Sequence, residues 1–94
     1  LVLKALGDLE GAKNLLSEAL ASDQQSFEPG HPSIARSQSN LALVLQDLGD
    51  LEGAKNLLIQ SYEAFKNLLG EDHPNTLTVK GNLEAVESAL KNNS

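Results

Sequence analysis

Apolar residues recur three or four positions apart in four segments of the chain, and polar or turn-forming residues separate these segments. This spacing places the apolar side chains on one face of an α-helix. No segment alternates between apolar and polar residues with the period of a β-strand. The pattern therefore predicts an all-α chain. The four apolar stripes are Leu9, Ala12, Leu15, Leu16, Ala19 and Leu20; Ile34, Leu41, Val44, Leu45 and Leu48; Leu51, Ala54, Leu57, Leu58, Tyr62, Phe65 and Leu69; and Leu77, Leu83, Val86 and Leu90.

Turn-forming residues set the ends of these helices. Gly7-Asp8 and Gly49-Asp50 each combine a glycine, which suits the position after a helix, with an aspartate, which suits the position before the next one. Longer breaks follow at Glu28-Pro29-Gly30 and at Gly70. We predict a truncated helix that ends at Leu6, followed by four helices of roughly 16–20 residues.

One block of sequence occurs twice without a change. Gly-Asp-Leu-Glu-Gly-Ala-Lys-Asn-Leu-Leu runs from Gly7 to Leu16 and again from Gly49 to Leu58, at an offset of 42 residues. The same offset relates His31-Pro32 to His73-Pro74. A fixed period of roughly 20–50 residues is typical of stacked repeat proteins. We therefore predict an α-α superhelix of antiparallel helix pairs, with about two and a quarter repeats.

The whole chain is predicted to be a single array. Its parts are residues 1–30, the end of a truncated repeat; residues 31–72, a complete repeat; and residues 73–94, a C-terminal capping helix. The capping prediction comes from Glu84 and Glu87, which stand where the preceding copy has Ala42 and Leu45. Because an unpaired buried carboxylate is costly, we expect both glutamates to face water. We also expect residue 94 to lie near a natural array end and residue 1 to lie inside the array.

Composition disfavours several classes of function. The chain has no cysteine, so disulfides and thiolate metal sites are impossible. Its net charge of −6 disfavours nucleic acid and anionic membranes, since both bind basic surfaces. No apolar run is long enough to span a bilayer, and we expect a cytoplasmic protein. His31 and His73 begin separate loops without a second metal ligand nearby, which indicates helix caps or loop anchors rather than a metal site.

The sequence also carries no pattern that is typical of catalysis. The acidic residues are scattered along polar faces, whereas general acid–base chemistry uses carboxylates held in apolar pockets. A glycine-rich phosphate loop and a nucleophile elbow are both missing. We therefore expect no enzyme activity and no cofactor.

The stretch Asn-Leu-Ala-Leu-Val-Leu-Gln-Asp-Leu-Gly-Asp-Leu-Glu-Gly-Ala, from Asn40 to Ala54, resembles the tetratricopeptide repeat. The matching large, small and turn-forming positions are Leu41, Ala42, Leu45, Gly49, Leu51 and Ala54. The usual period of that repeat is about 34 residues. A period of 42 with a Gly-(Glu/Asp)-x-His-Pro loop is similar to the repeats of kinesin light chain and of bacterial proteins like it. By this resemblance the chain would be part of a longer, bacterial-type array.

The resemblance implies a protein-binding scaffold whose concave face is lined by the first helix of each pair. The residues expected on that face are Arg36, Ser39, Asn40, Leu43 and Gln46, with Asn82 from the last helix. Asn40 and Asn82 are the leading peptide-binding candidates, because an amide offers a donor and an acceptor to an extended backbone. The alternative is that both amides bond a neighbouring loop or helix end.

Two functions follow from these expectations. The first is a non-catalytic interaction module that binds an extended peptide segment of a protein partner in the concave groove. The second is a scaffold that self-associates or packs against neighbouring domains. Self-association is predicted to use the truncated N-terminal face, where Leu9, Leu15 and Leu16 are left partly uncovered.

Overall fold

The computed structural model describes residues 2–92, with side chains from residue 7 onward. Within this range the chain forms four α-helices and no strand. They are α1 (Val2–Ser26), α2 (Pro32–Leu48), α3 (Leu51–Leu69) and α4 (Pro74–Asn92). Each helix packs against its neighbours in sequence, and α2 also contacts α4. The prediction of an all-α array of antiparallel helix pairs is confirmed.

The turn between α2 and α3 forms as its sequence predicts. Gly49 has a φ of 91°, which places it in the left-handed conformation that favours glycine. Its N–H donates to the carbonyl of Gln46, and the N–H of Asp50 donates to the carbonyl of Leu45 at 2.8 Å. The Asp50 carboxylate then accepts from the N–H of Gly53 at 3.0 Å and caps α3. These bonds give partners to two carbonyls in the last turn of α2 and to one N–H in the first turn of α3.

The predicted turn at Gly7-Asp8 is wrong. α1 runs without a break from Val2 to Ser26, and Gly7 is not among the glycines with positive φ. The expected truncated helix and the helix after it are therefore one element. Within the described residues, the segment before Gly7 does not form a separate helix that packs as α2 does. Continuing α1 instead keeps the backbone hydrogen bonds within one helix.

The core lies between α2 and α3 and extends to one side of α4. Its fully or nearly buried apolar residues are Leu20, Ile34, Ala35, Leu41, Ala42, Leu45, Ala54, Leu58, Phe65, Val79 and Val86. Among the described side chains, α1 contributes only Leu20 to this set. Leu9 and Leu16 are half-buried and Leu15 is 69% exposed, which agrees with the expectation that this part of the stripe is left partly uncovered. In α4 the prediction placed Leu77 on the buried side, but that side chain is 50% exposed. Val79, which the apolar stripe did not include, takes a core position instead.

The structure assigns capping positions to the two histidines. Nδ1 of His31 accepts from the N–H of Ser33 at 3.0 Å, and Nδ1 of His73 accepts from the N–H of Asn75 at 3.1 Å. Each histidine thus begins a helix whose next residue is proline, which needs no hydrogen-bond partner there. The His31 ring also stacks on Phe27, with ring centroids 4.1 Å apart. These contacts agree with the predicted role as helix caps.

Candidate functional site

A surface groove runs between α2 and α4, on the side of α2 that faces away from the core. Its lining residues are Arg36, Ser39 and Asn40 from α2, Phe65 from α3, and Asn75, Thr78 and Val79 from α4. The recess has a volume of about 280 Å³. We refer to it as the α2/α4 groove. Three of the predicted peptide-binding residues therefore line one cavity together.

The α2 residues share this groove because they lie on one stripe of the helix. Positions 36, 39, 40, 43 and 46 are three or four apart, so they fall on the same face of a helix. The opposite face carries Ala35, Ala42 and Leu45, which are buried against α3. The same packing that fixes the core thus directs the polar stripe of α2 outward.

The floor and the rim of the groove differ in chemistry. Phe65 and Val79 form an apolar floor and are only 5% and 2% exposed. Asn40, Asn75 and Thr78 are exposed and supply amide and hydroxyl groups at the rim. This combination suits a ligand that carries peptide groups on an extended backbone and an apolar side chain between them.

Arg36 is the positively charged residue of the groove. Its side chain is exposed, and among the described side chains no carboxylate lies within ion-pair distance of it. No acidic residue lines the groove. Arg36 therefore places one positive charge at the groove of a molecule whose net charge is −6.

The other predicted site residues lie outside the lining of this cavity. Leu43 is 40% exposed, and Gln46 is half-buried; both continue the α2 stripe toward the end of that helix. Asn82 lies on α4 one turn beyond Thr78 and is half-buried. Neither Asn40 nor Asn82 makes a hydrogen bond within the described part of the chain. Their amides are thus available to a ligand.

Phe65, Asn75 and Val79 line the groove although they were not predicted to do so. Phe65 and Val79 were treated as core or were overlooked, and the structure shows them to be the floor between two helices. Asn75 comes directly after His73-Pro74, so its place at the start of α4 could have been found from that turn signal.

A second uncovered surface lies on α1. Leu15 is 69% exposed, while its counterpart in the repeat, Leu57, is half-buried. Ala19 is exposed, whereas its counterpart Ser61 is completely buried and donates from Oγ to the carbonyl of Ala35 at 2.7 Å. Within the described residues, the face that α3 turns toward α2 therefore has no covering helix where it recurs on α1.

Two other kinds of feature, metal-ligand clusters and membrane-spanning helices, are not found in the described part of the chain. Within the described residues, no group of three or more histidine, aspartate or glutamate side chains is arranged to hold a metal ion. Across the same residues, no helix combines the length and apolar character needed to cross a membrane.

Helix pairs that stack in sequence, with a polar groove along one side, define a helical-repeat protein. The sequence profile of the tetratricopeptide repeat matches residues 1–66 and residues 33–94. The chain therefore belongs to the tetratricopeptide repeat family, whose members generally mediate protein–protein interactions and are typically non-catalytic scaffolds. No curated protein sequence gives a significant match to the chain.

Proposed function

We propose that this chain binds an extended peptide segment of a partner protein in the α2/α4 groove. The observation that carries the proposal is the grouping of Arg36, Ser39 and Asn40 around one cavity with an apolar floor. These three residues lie on one face of α2, and their polar groups make no hydrogen bond or ion pair within the described part of the chain. A ligand that satisfied them would gain hydrogen bonds as well as apolar contact.

In this proposal the asparagine amides bind the ligand backbone. Asn40 on α2 and Asn82 on α4 occupy the same position of the repeat, 42 residues apart. An amide can accept from a peptide N–H and donate to a peptide C=O. Two such amides on neighbouring helices would hold successive peptide groups of one extended strand. Leu43 and Gln46 would extend the contact toward the end of α2, and Arg36 would attract a ligand group of negative charge.

The proposal can be tested with a displayed library of random nine-residue peptides. The immobilised native chain would be compared with the variant Asn40→Ala/Asn82→Ala. The matched control is Asn14→Ala/Asn56→Ala, which removes the other pair of repeat-related asparagines, both exposed on α1 and α3. We expect peptides that bind the native chain and the control, and that lose at least about tenfold in affinity on the groove variant. Equal binding to all three proteins would contradict the proposal that the peptides bind in the α2/α4 groove.

A second candidate function is self-association through the open face of α1. The observation that favours it is the exposure of Leu15, together with the half-buried Ala12 and Leu16 beside it. A contiguous apolar face of this kind promotes association. Sedimentation at increasing protein concentration would show a rising mass for the native chain, and Leu15→Lys should abolish the rise. A constant monomer mass would remove this candidate and leave the peptide-binding proposal untouched.

Finer features of the protein are part of the same proposal. The 42-residue period supports assignment to the kinesin-light-chain type of repeat and to a bacterial-type array, with residues 31–72 as its complete repeat and residues 73–94 as its capping helix. The exposed Glu84 and Glu87 support the capping role, because they stand at positions that are buried in α2. We also propose that the chain acts in the cytoplasm without catalysis, a cofactor, nucleic acid or a membrane.

A further inference from the structure

A second recess lies on the opposite side of α2 from the groove. Its lining residues are Gln24, Pro29, Gly30, Ile34, Gln38, Gln60 and Ala64, and its volume is about 360 Å³. Ile34 and Gln38 point away from Arg36 because residues two apart are separated by roughly 200° around a helix. The recess exists because α1 and α3 both contact α2 but do not contact each other. We call it the glutamine recess.

The glutamine recess contains a fixed pair of amides. Gln38 is only 5% exposed, and its Nε2 donates to Oε1 of Gln60 at 2.9 Å. This bond uses one of the two N–H groups of Gln38 and one lone pair of Gln60. The carbonyl of Gln38 and the NH₂ of Gln60 make no other hydrogen bond with the described residues. One acceptor and one donor therefore remain side by side at the recess.

Apart from the amide of Gln24 and the backbone of Gly30, the remaining wall of the recess is apolar. Ile34 is 5% exposed and Ala64 is half-buried, so both form part of the packed surface, and Pro29 closes one edge. None of the lining residues carries a charge. A ligand that enters needs an uncharged polar group for the two amides and an aliphatic group for the wall, because a charge would be desolvated without a counter-charge.

The repeat shows that this neutrality is not a requirement of the fold. The positions 42 residues after Gln24, Pro29, Gly30 and Gln38 are all charged: Lys66, Glu71, Asp72 and Lys80. Two of these, Lys66 and Glu71, form an ion pair at 3.4 Å. The same backbone positions thus accept charged side chains in one copy, while the copy that builds the recess has none.

We propose that the glutamine recess is a second binding site, which takes a short uncharged segment of a partner polypeptide. The C=O and N–H of one residue of that segment, which belong to two successive peptide groups, accept from Nε2 of Gln60 and donate to Oε1 of Gln38. An aliphatic side chain of the segment packs on Ile34 and Ala64. The site lies across α2 from the α2/α4 groove and does not depend on a ligand bound there.

The test uses N-acetyl-leucine N′-methylamide, an uncharged compound that has two peptide groups and one aliphatic side chain. It would be titrated into the ¹⁵N-labelled full chain while the side-chain amide signals are followed by NMR. We expect saturable shifts at Gln38 and Gln60. The aspartate analogue of the probe, which carries a negative charge, should give none.

The variant Gln60→Glu gives the decisive comparison. It keeps an acceptor for Gln38 but removes the NH₂ donor and adds a negative charge, so the affinity for the probe should fall about tenfold. The matched control Gln25→Glu makes the same change at an exposed α1 position outside the recess and should bind as the native chain does. Equal affinity in both variants, shifts that do not saturate, or shifts centred on Arg36 and Asn40 would overturn the proposal. In the last case the probe would bind in the α2/α4 groove, which would support the proposed function and contradict a second binding site in the glutamine recess.

Discussion

The same ten residues form part of an uninterrupted helix at one place in this molecule. At another place they form a turn followed by the start of a helix. From Gly7 to Leu16 they lie inside α1, whereas from Gly49 to Leu58 they begin with a left-handed glycine and a capped helix start. Their local propensities are identical because their sequences are identical. The difference must therefore come from what precedes and surrounds each copy.

Packing accounts for the turn at Gly49. The seventeen residues of α2 come before it and bury Leu41, Ala42 and Leu45. If α2 and α3 formed one straight helix, these side chains would lose their partners on α3. Burying an aliphatic side chain contributes about 1.5–3 kcal/mol, which exceeds the cost of ending two helices when their ends are capped. Among the described residues, no separate helix before Gly7 packs on α1. The two glycines and the aspartate are tolerated inside α1 at about 1 kcal/mol each or less.

The difference extends beyond the turn to the side chains that face the next helix. Asp23 on α1 accepts a hydrogen bond from Oγ of Ser37 at 2.5 Å. The positions 42 residues later are Phe65 and Val79, which are both core residues. A polar pair on one helix interface thus corresponds to an apolar pair on the next. We infer that the α1–α2 interface is the weaker of the two.

The largest expected difference concerns the last leucine of each copy. Leu58 is 0% exposed, so Leu58→Ala should destabilise the protein by about 2–5 kcal/mol. Leu16 is only half-buried, and Leu16→Ala should cost about 1 kcal/mol. Urea unfolding followed by far-ultraviolet circular dichroism would measure both free energies of unfolding. Equal losses would show that α1 packs as fully as α3 and would contradict a difference in packing between the two copies.

The first glycine of each copy should respond with opposite sign. An alanine in the left-handed conformation of Gly49 is strained by about 1–2 kcal/mol, so Gly49→Ala should lower the free energy of unfolding. Gly7 lies in a helix, and a Cβ there meets nothing within 4 Å. Gly7→Ala should therefore raise the free energy of unfolding by about 0.5–1 kcal/mol.

The same urea titrations would measure this pair of variants, with the Cα chemical shifts of the two glycines as an independent check. A helical shift at Gly7 and a non-helical shift at Gly49 are expected. A destabilising Gly7→Ala would mean that the turn forms in both copies in solution.

The extent to which sequence predicts this fold follows from the same comparison. The helical period, the breaks at Pro29-Gly30 and Gly70, and the turn at Gly49 are local signals, and each is present in the structure. The continuity of α1 could not be read from Gly7-Asp8, since the identical pair makes a turn elsewhere. Leu77 was included in the buried stripe of α4 and Val79 was left out. At 100° per residue Val79 lies on the same face as the buried Val86, whereas Leu77 lies on the opposite side of the helix and is exposed.

The candidate site was predictable to a similar degree. The polar stripe of α2 follows from helical spacing once the core face is known, so Arg36, Ser39 and Asn40 could be grouped from the sequence. The floor of the groove could not, because Phe65 and Val79 meet there only when α2, α3 and α4 pack together. The glutamine recess is a gap between helices that are not adjacent in sequence, and no local pattern marks it.

The smallest expected difference concerns the second glycine of each copy. Gly11 lies within α1, where a Cβ would meet nothing within 4 Å, and Gly11→Ala should stabilise the protein by about 0.5–1 kcal/mol. At Gly53 a Cβ would lie 2.5 Å from Oδ2 of Asp50, the residue that caps α3. The gain in helix propensity would then be offset by the loss of about 1 kcal/mol from the cap, so Gly53→Ala should be close to neutral.

A double-mutant cycle makes this last difference specific to the cap. In the background of Asp50→Ala the cap is already lost, so Gly53→Ala should become stabilising by about the same amount as Gly11→Ala. In the background of Asp8→Ala the effect of Gly11→Ala should not change, because Asp8 caps nothing inside a continuous helix. If Asp8→Ala altered the effect of Gly11→Ala as Asp50→Ala alters that of Gly53→Ala, both aspartates would be caps. The two copies would then share one conformation, and the neighbouring helices would no longer explain a difference between them.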